Sequence, residues 1–275
     1  MVKFFVIGAG KMGGAISGGL VAQNVFSAAE VAAFDVNPKA AEEFSRRTGC
    51  VAYSRIEEAL PALHEAPTVL LAVKPQVLEP ALRSFVADGA MSPLSRKLVI
   101  SIVAGVPISK ISGLLANDRI VRVMPNTPAL IGAGAAAFAP GAGATAEDIA
   151  LVEKILASVG MARQMREADL DAVTALSGSG PAYVFAFIQA LADGGVAEGL
   201  SREAAQALAV QTVLGSAEMV ARSGEHPAVL KDAVTSPGGT TIRALEVLED
   251  RGFAGAVIQA VRAAARRSRE LGGGK

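Results

Sequence analysis

Cysteine, histidine and tryptophan are nearly absent. The 275 residues contain one Cys, two His and no Trp. The single Cys50 rules out an intrachain disulfide and fits a reducing compartment, so a cytoplasmic location is expected. It lies beside an apolar strand, where a thiol is expected to be buried and inert. His64 and His226 stand far apart in no metal-like spacing, so a zinc centre is unsupported and no metal site is expected. Neither a GxSxG elbow nor a GxxxxGK[ST] loop occurs, which removes an α/β-hydrolase triad and a P-loop. Neither sign of charge is in excess: Lys plus Arg and Asp plus Glu number 26 each. Nothing in that balance points to nucleic acid or a membrane surface. No stretch reaches the roughly 18 uninterrupted apolar residues of a spanning helix. Pro181 to Ala192 comes closest and ends at Asp193. The N-terminal apolar run enters a glycine turn without a cleavage-type site, so no signal peptide is expected. Aromatics make up 4% of a chain that is 51% hydrophobic, so Ala, Val, Leu and Ile must fill a substantial core.

What is present begins with Phe4 to Gly14, FFVIGAGKMGG. A short apolar run leads into Gly8-Ala9-Gly10-Lys11-Met12-Gly13, and Ile16 and Leu20 then recur at helical spacing. In a strand–turn–helix setting each glycine has a reason. Gly8 permits the turn, Gly10 lets backbone approach a pyrophosphate, and Gly13 lets helix pack on strand. The helix N-terminus adds free N–H groups and a positive dipole end. A second strand, Val31 to Asp35, ends in an acid 22 positions beyond Gly13. That is about the spacing (~20 residues) at which such an acid meets the adenosine ribose. Asn37 and Pro38 start the next helix as N-cap and first-turn proline.

Apolar runs at Thr68–Val73, Lys97–Val103 and Arg119–Met124 read as strands buried on both faces of a parallel sheet, alternating with helices at Ile56–Leu63, Val77–Phe85 and Ile108–Leu115. Further strands are expected near Ala135–Phe138 and Met161–Met165. From Glu167 onward only helices are expected, among them Ala182–Ala197, Arg202–Ala221 and Phe253–Leu271. The expected fold is α/β: an N-terminal Rossmann doubly wound parallel sheet over residues 1–166, then an all-α dimerisation domain over 167–275. Ala182–Leu191 is apolar nearly all round, so it must be buried in a bundle or against another subunit.

Lys74-Pro75 and Met124-Pro125-Asn126-Thr127-Pro128 each follow a sheet strand, where ligands of open α/β sheets sit. Ser177-Gly178-Ser179-Gly180-Pro181 and Thr235-Ser236-Pro237-Gly238-Gly239-Thr240-Thr241 are hydroxyl- and glycine-rich loops feeding helix N-termini. Such loops present N–H groups to an anion such as a carboxylate. Reduction of a ketone by hydride calls for a proton donor, usually His or Lys, and Lys74 is the only candidate beside a strand end. An imine arrives already protonated and needs positioning more than acid catalysis. A site built of N–H and hydroxyl groups therefore suits an imino acid better than a 2-oxo acid.

GAGKMG at 8–13, AVKP at 72–75, MPNTP at 124–128, SGSGPAY at 177–183 and PAVLKDAVTSPGGTTIRALEVLE at 227–249 together resemble the pyrroline-5-carboxylate reductase family. The last block carries most of the resemblance, because the first is shared by every Rossmann enzyme. The resemblance implies hydride transfer from NAD(P)H to the C=N carbon of 1-pyrroline-5-carboxylate, giving L-proline. It implies a homodimer of interleaved helical domains, and rings of dimers are common among such enzymes. It places the pyrophosphate on Gly8, Ala9, Gly10, Lys11, Met12 and Gly13, with Ala72, Val73, Lys74, Pro75, Ile102, Val103 and Ala104 along the cofactor. It gives the substrate carboxylate to Ser236, Gly238, Gly239, Thr240 and Thr241, with Thr241 as the catalytic position that also bonds the ring nitrogen.

One departure bears on the cofactor. Asp35 as a ribose acceptor favours NADH and repels a 2′-phosphate, whereas Asn37 and Lys39 are placed to hold that phosphate. The resemblance favours NADPH, with NADH as the alternative. A related two-domain imine or β-hydroxyacid reductase would need a catalytic Lys or Asp on the first long helix of the second domain; Tyr183, Gln189 and Asp193 are the polar positions there, and no Lys occurs between Arg166 and Lys231. A nucleotide-binding regulator without turnover would have no use for the SPGGTT loop.

Overall fold

A computed structural model describes residues 1–85 and 92–273. Its first half is one eight-stranded sheet: β1 (Phe4–Ile7), β2 (Val31–Phe34), β3 (Val51–Tyr53), β4 (Thr68–Leu71), β5 (Leu98–Ser101), β6 (Ile120–Met124), β7 (Gly134–Pro140) and β8 (Gly160–Gln164). The strand order is 3-2-1-4-5-6-7-8. Alternation along the strands divides the core in two. Phe4, Val6, Leu70 and Ile100 point to one face, and Phe5, Ile7, Leu71 and Val99 to the other. On the first face pack α1 (Lys11–Ala22), through Ile16 and Leu20, and α2 (Pro38–Thr48), through Phe44. The second face takes α3 (Ile56–Glu65), α4 (Leu78–Arg83) and α5 (Ile108–Leu115), while α6 (Ala146–Ala157) returns to the first. Both faces are covered, so the central strands β1, β4 and β5 are apolar but for Thr68 and Ser101 at their ends.

The sheet departs from an all-parallel arrangement at one place. β7 runs antiparallel to β6, with Met124 opposite Ala137, and β8 is again parallel to β7. Only residues 125–133 join β6 to β7, partly as a 3₁₀ turn over Thr127–Ile131. A parallel crossover needs about a dozen residues or more, so the chain folds straight back. From β7 to β8 it has α6 to cross with, and the parallel sense returns.

Local signals set the helix ends. Asn37 caps α2 with its side chain accepting from Lys39 N, Pro38 fills the first turn, and Gly49 ends the helix at φ 73°. Thr145 and Asp148 form a capping box on α6. Burial pushes the Cys50 thiol up, which keeps it protonated.

Packing divides the chain into Met1–Ser179 with Ala264 onward, and Gly180–Ala263. This division lies beyond residue 166 because α7 (Leu170–Val173) is held by the sheet, Leu170 clustering with Ala137 and Ala139. The C-terminal turns of α12 (Phe253–Leu271) belong to the first unit too, tied by Ser268 Oγ donating to Asp171 Oδ1 at 2.6 Å. The second unit holds α8 (Gly180–Ala197), α9 (Arg202–Ser223), α10 (Pro227–Ala233), α11 (Thr240–Asp250) and the start of α12. α8 and α9 meet through small residues, Ala192 against Ala205 and Ala209. The larger apolar side chains are left outside: Phe185 is 63% exposed, Leu214 57% and Ile258 57%. By length and composition alone, the helical run Glu167–Ala197 is apolar enough to cross a membrane.

A two-pronged ion pair in the first unit joins Arg119 to Asp148. Nε and Nη2 reach the two carboxylate oxygens at 2.7 and 2.6 Å, and Thr145 N donates to Oδ2 as well. Asp148 is buried, and the Arg119 hydrogen bonds hold its carboxyl below the ordinary 3.8 in spite of burial. A depressed carboxyl stabilises the fold at pH values above its unfolded pKa and loses that contribution as pH falls through the folded value. Arg119→Ala is therefore expected to cost on the order of 2 kcal/mol near neutral pH, because a buried carboxylate loses its charged partner. In chemical denaturation series that deficit should begin to shrink as pH falls below 3.8 and vanish only below the lower folded-state value, where Asp148 is protonated in both states.

Candidate active site

The glycine turn joins β1 to α1 at the carboxyl edge of the sheet. Gly8 sits at φ +106°, and a Cβ there would lie 2.6 Å from the Ala72 carbonyl oxygen. Only glycine permits both the angle and the approach of β1 to the end of β4. A Cβ on Gly13 would lie 2.5 Å from Gly8 O and 3.1 Å from Val6 Cγ1, so this glycine lets α1 press on the strand. Gly10 differs: a Cβ there would meet nothing within 4 Å, and its φ of −72° suits any residue. The turn is thus open at Gly10, beside the first-turn N–H groups of α1, which have no intrahelical acceptors. Gly10 caps the helix without a side-chain bond, so these donors are left for an anion. This open cradle fits a dinucleotide pyrophosphate.

Gly8, Gly10, Asp35, Ala72, Val73 and Lys74 line a single cavity of about 480 Å³. Its apolar wall includes Phe34 and, from the segment after Pro75, Val77, Pro80 and Ala81. These last residues carry no motif; they reach the cavity only because α4 folds back from the end of β4. Ala9 is buried outside that lining, its N–H given to Asp35, while Lys11 and Met12 open α1. Pro75 and Ala104 lie elsewhere, on a neighbouring cavity of about 530 Å³ with Gln76, Gly105, Thr174 and Ser179. Ile102 is partly buried and Val103 buried in the two core layers. Asn37 lies outside the first cavity's lining, as the exposed cap of α2.

Asp35 has a second employment. Its Oδ2 accepts from Ala9 N at 2.9 Å and its Oδ1 from Asn37 N at 3.0 Å. The carboxylate thereby clamps the glycine turn to the end of β2, alongside Gly8 N donating to Phe34 O at 2.8 Å. A spacing rule identifies the acid but not this bonding.

In the second unit, the loop Thr235–Gly239 feeds α11. Gly238 adopts φ +70°, and Gly239 caps the helix with no side-chain bond. Gly239 N donates to Ser236 O at 3.1 Å, which folds the loop tightly, and a Cβ on Gly239 would strike Ser236 Oγ. Thr235 is spent internally, Oγ1 on Lys231 O at 2.7 Å and N on Asp232 O at 2.9 Å. The Ser236, Thr240 and Thr241 hydroxyls have no hydrogen-bond partner among the described residues, and the first-turn N–H groups of α11 add to that donor set.

The glycines separate fold from binding. Gly10→Ala should leave the melting temperature within about 2 °C of the parent while weakening dinucleotide binding about tenfold or more, roughly 1.4 kcal/mol. Gly8→Ala should instead lower the melting temperature sharply. Thermal melts and dinucleotide titrations on both variants check this; equal losses of stability would contradict the open cradle.

Comparison with known proteins agrees with this arrangement. Residues 167–271 match the family model for pyrroline-5-carboxylate reductase dimerisation, and residues 3–105 match one described as NADP oxidoreductase, coenzyme F420-dependent. The chain is 45% identical over 270 residues to the pyrroline-5-carboxylate reductase of Arabidopsis thaliana, covering 98% of this chain and 95% of the relative. The crystal structure of Plasmodium falciparum pyrroline carboxylate reductase with NADP bound superposes with a TM-score of 0.85 at 35% identity, covering 98% of each chain. That of the Coxiella burnetii pyrroline-5-carboxylate reductase gives 0.87 at 32%, covering 100% of this chain and 99% of that one. With near-complete coverage at such identity, and with the glycine cradle and the 235–241 loop both in place, the chain belongs to the pyrroline-5-carboxylate reductase family.

Proposed function

We infer that the protein reduces 1-pyrroline-5-carboxylate to L-proline, the last step of proline biosynthesis, using NADPH. The observation that carries this reading is the loop Ser236–Thr241. Apart from the Gly239 N–H, which closes the loop on Ser236 O, it is a set of N–H and hydroxyl donors at a helix start, with no histidine or lysine in it. Such a set binds a carboxylate and orients a ring but supplies no strong acid, which is what a protonated imine requires. Bound NADPH supplies the hydride. The N–H groups of Gly238, Thr240 and Thr241 hold the substrate carboxylate, with the Ser236 and Thr240 hydroxyls in support and Gly239 closing the loop against Ser236 O. Thr241 Oγ1 accepts from the protonated ring nitrogen and so fixes which carbon is presented. The positive end of the α11 dipole strengthens the hold on the carboxylate.

The division of labour follows the chain: residues 1–166 take the dinucleotide, and 167–275 take the substrate and the second copy. The protein works as a homo-oligomer, its dimer formed through the apolar side chains left exposed on α8, α9 and α12, which a second copy covers in place of lipid. Rings of such dimers and a cytoplasmic location complete the reading, with no nucleic acid or membrane as partner.

NADPH is the reductant favoured here. The Asp35 carboxylate is already committed to two backbone N–H groups, and Asn37 and Lys39 stand exposed at the start of α2 for a 2′-phosphate. kcat/KM should accordingly favour NADPH over NADH. Asp35→Ser should weaken both cofactors, because the glycine turn loses its clamp. A strong NADH preference in the parent that reverses in this variant would overturn the assignment.

The activity is tested by mixing protein, NADPH and pyrroline-5-carboxylate and following absorbance loss; a folded dimer without turnover on either cofactor refutes it. Thr241→Ala should lower kcat/KM by about 10²-fold, the scale of losing one positioned hydrogen bond to the reacting centre, with the melting temperature nearly unchanged. A fall in melting temperature with unaltered kinetics would reduce Thr241 to a helix-start residue.

A further inference from the structure

Asn126, in the segment after β6, is 9% exposed, and both ends of its carboxamide are engaged. Oδ1 accepts from Ala135 N on β7 at 2.8 Å, and Nδ2 donates to Ser177 O at 3.1 Å. Ser177 lies in a π-helical turn, Thr174–Gly178, closed by Ser179 N donating to Thr174 O at 2.8 Å. Four residues beyond Ser177 stands Pro181, which has no N–H to give the Ser177 carbonyl. The Asn126 amide fills that missing donor for a part-buried carbonyl. From the same strand end Met124 supports the turn: a Cβ on Gly178 would lie 2.5 Å from Met124 Cε.

The turn is one wall of the second cavity. Thr174 and Ser179 line it together with Pro75 and Gln76, after β4, Ala104 and Gly105, after β5, and the last turns of α12. The first cavity lies over the ends of β2, β1 and β4, and Lys74 and Val77 line it from the same turn that gives Pro75 and Gln76 to the second. A dinucleotide anchored on the glycine cradle and running along the carboxyl ends of the strands leads from the first cavity to the second, so the second receives its reacting end. Single π turns inside helices recur at functional sites because they re-aim the side chains that follow.

We propose that Asn126 is a positioning residue of the reductase. By holding the Ser177 carbonyl that Pro181 leaves without a donor, it fixes the π turn and with it the Thr174–Ser179 wall of the cavity at the reacting end. It touches neither substrate nor cofactor. This rests on the reductase reading, so turnover of the parent enzyme is measured first; its absence counts against that reading alone.

The test uses Asn126→Asp, Pro181→Ala and the pair together. N126D keeps the acceptor for Ala135 N and loses the donor toward Ser177 O. P181A gives the Ser177 carbonyl a backbone N–H of its own. N126D should lower kcat about 10- to 100-fold, the scale on which small misplacement acts. Its NADP⁺ dissociation constant, set mainly at the glycine cradle, should change less than about threefold (under ~0.7 kcal/mol). N126D/P181A should recover kcat to near that of P181A. If N126D alone does not fold, N126D/P181A is compared with P181A in the same way, and equal kcat supports the assignment. A kcat loss in N126D no larger than its unfolded fraction, a parallel loss of NADP⁺ affinity, or no recovery in the double variant overturns it.

Discussion

The close approach of Gly8 to the carbonyl of Ala72 is the constraint on which the rest depends. β1 and β4 are neighbours at the point where strand order turns, and the chain after each must leave in a different direction. Any side chain at position 8 would push the two strand ends apart. With none there, α1 begins directly over the sheet edge, pressed on it through Gly13, and its first-turn N–H groups face the crevice. The cavity, the cradle and the seating of α4 follow from that contact.

Asp35 and Asn126 show how polar side chains hold such an edge. Asp35 ties the glycine turn to β2 through Ala9 and Asn37, and Asn126 ties the end of β6 to β7 and to the π turn. Each satisfies backbone groups that no strand or helix ladder reaches. Buried amides and carboxylates are costly unless fully bonded, and these are bonded at both ends. The two devices act on different parts of the edge, one on the cradle and one on the neighbouring cavity. The second unit is built on the opposite plan. Its inner contacts are small, Ala192 with Ala205 and Ala209, while its large apolar side chains lie outside. Such a unit is completed only by association, in keeping with the dimerisation model that its sequence matches.

Legibility followed the range of the interaction. The buried runs at Phe4–Ile7 and Thr68–Leu71 declare parallel strands because both faces are covered, and all their residues but Thr68 are apolar. Gly8 and Gly13 announce the turn because each answers a steric demand of the strand–helix junction. Asn37, Pro38 and Gly49 mark α2 from end to end for the same reason. Neither the antiparallel β7 nor the cavity wall given by α4 has such a local mark. The first follows from the length of a connection, and the second from where a helix happens to return.

By itself the sequence determined the layered α/β half, the helical half, the glycine turn after β1 and the hydroxyl- and glycine-rich loop before α11, because turn geometry, capping and two-residue or helical periodicity are written within a few neighbouring positions. Tertiary structure alone decided that Asp35 bonds a residue 26 positions away, that Asn126 supports one 51 away, and that Ser268 returns to Asp171 across 97. Those pairings depend on the folded path of the backbone, which brings a donor and an acceptor together only after the sheet has formed.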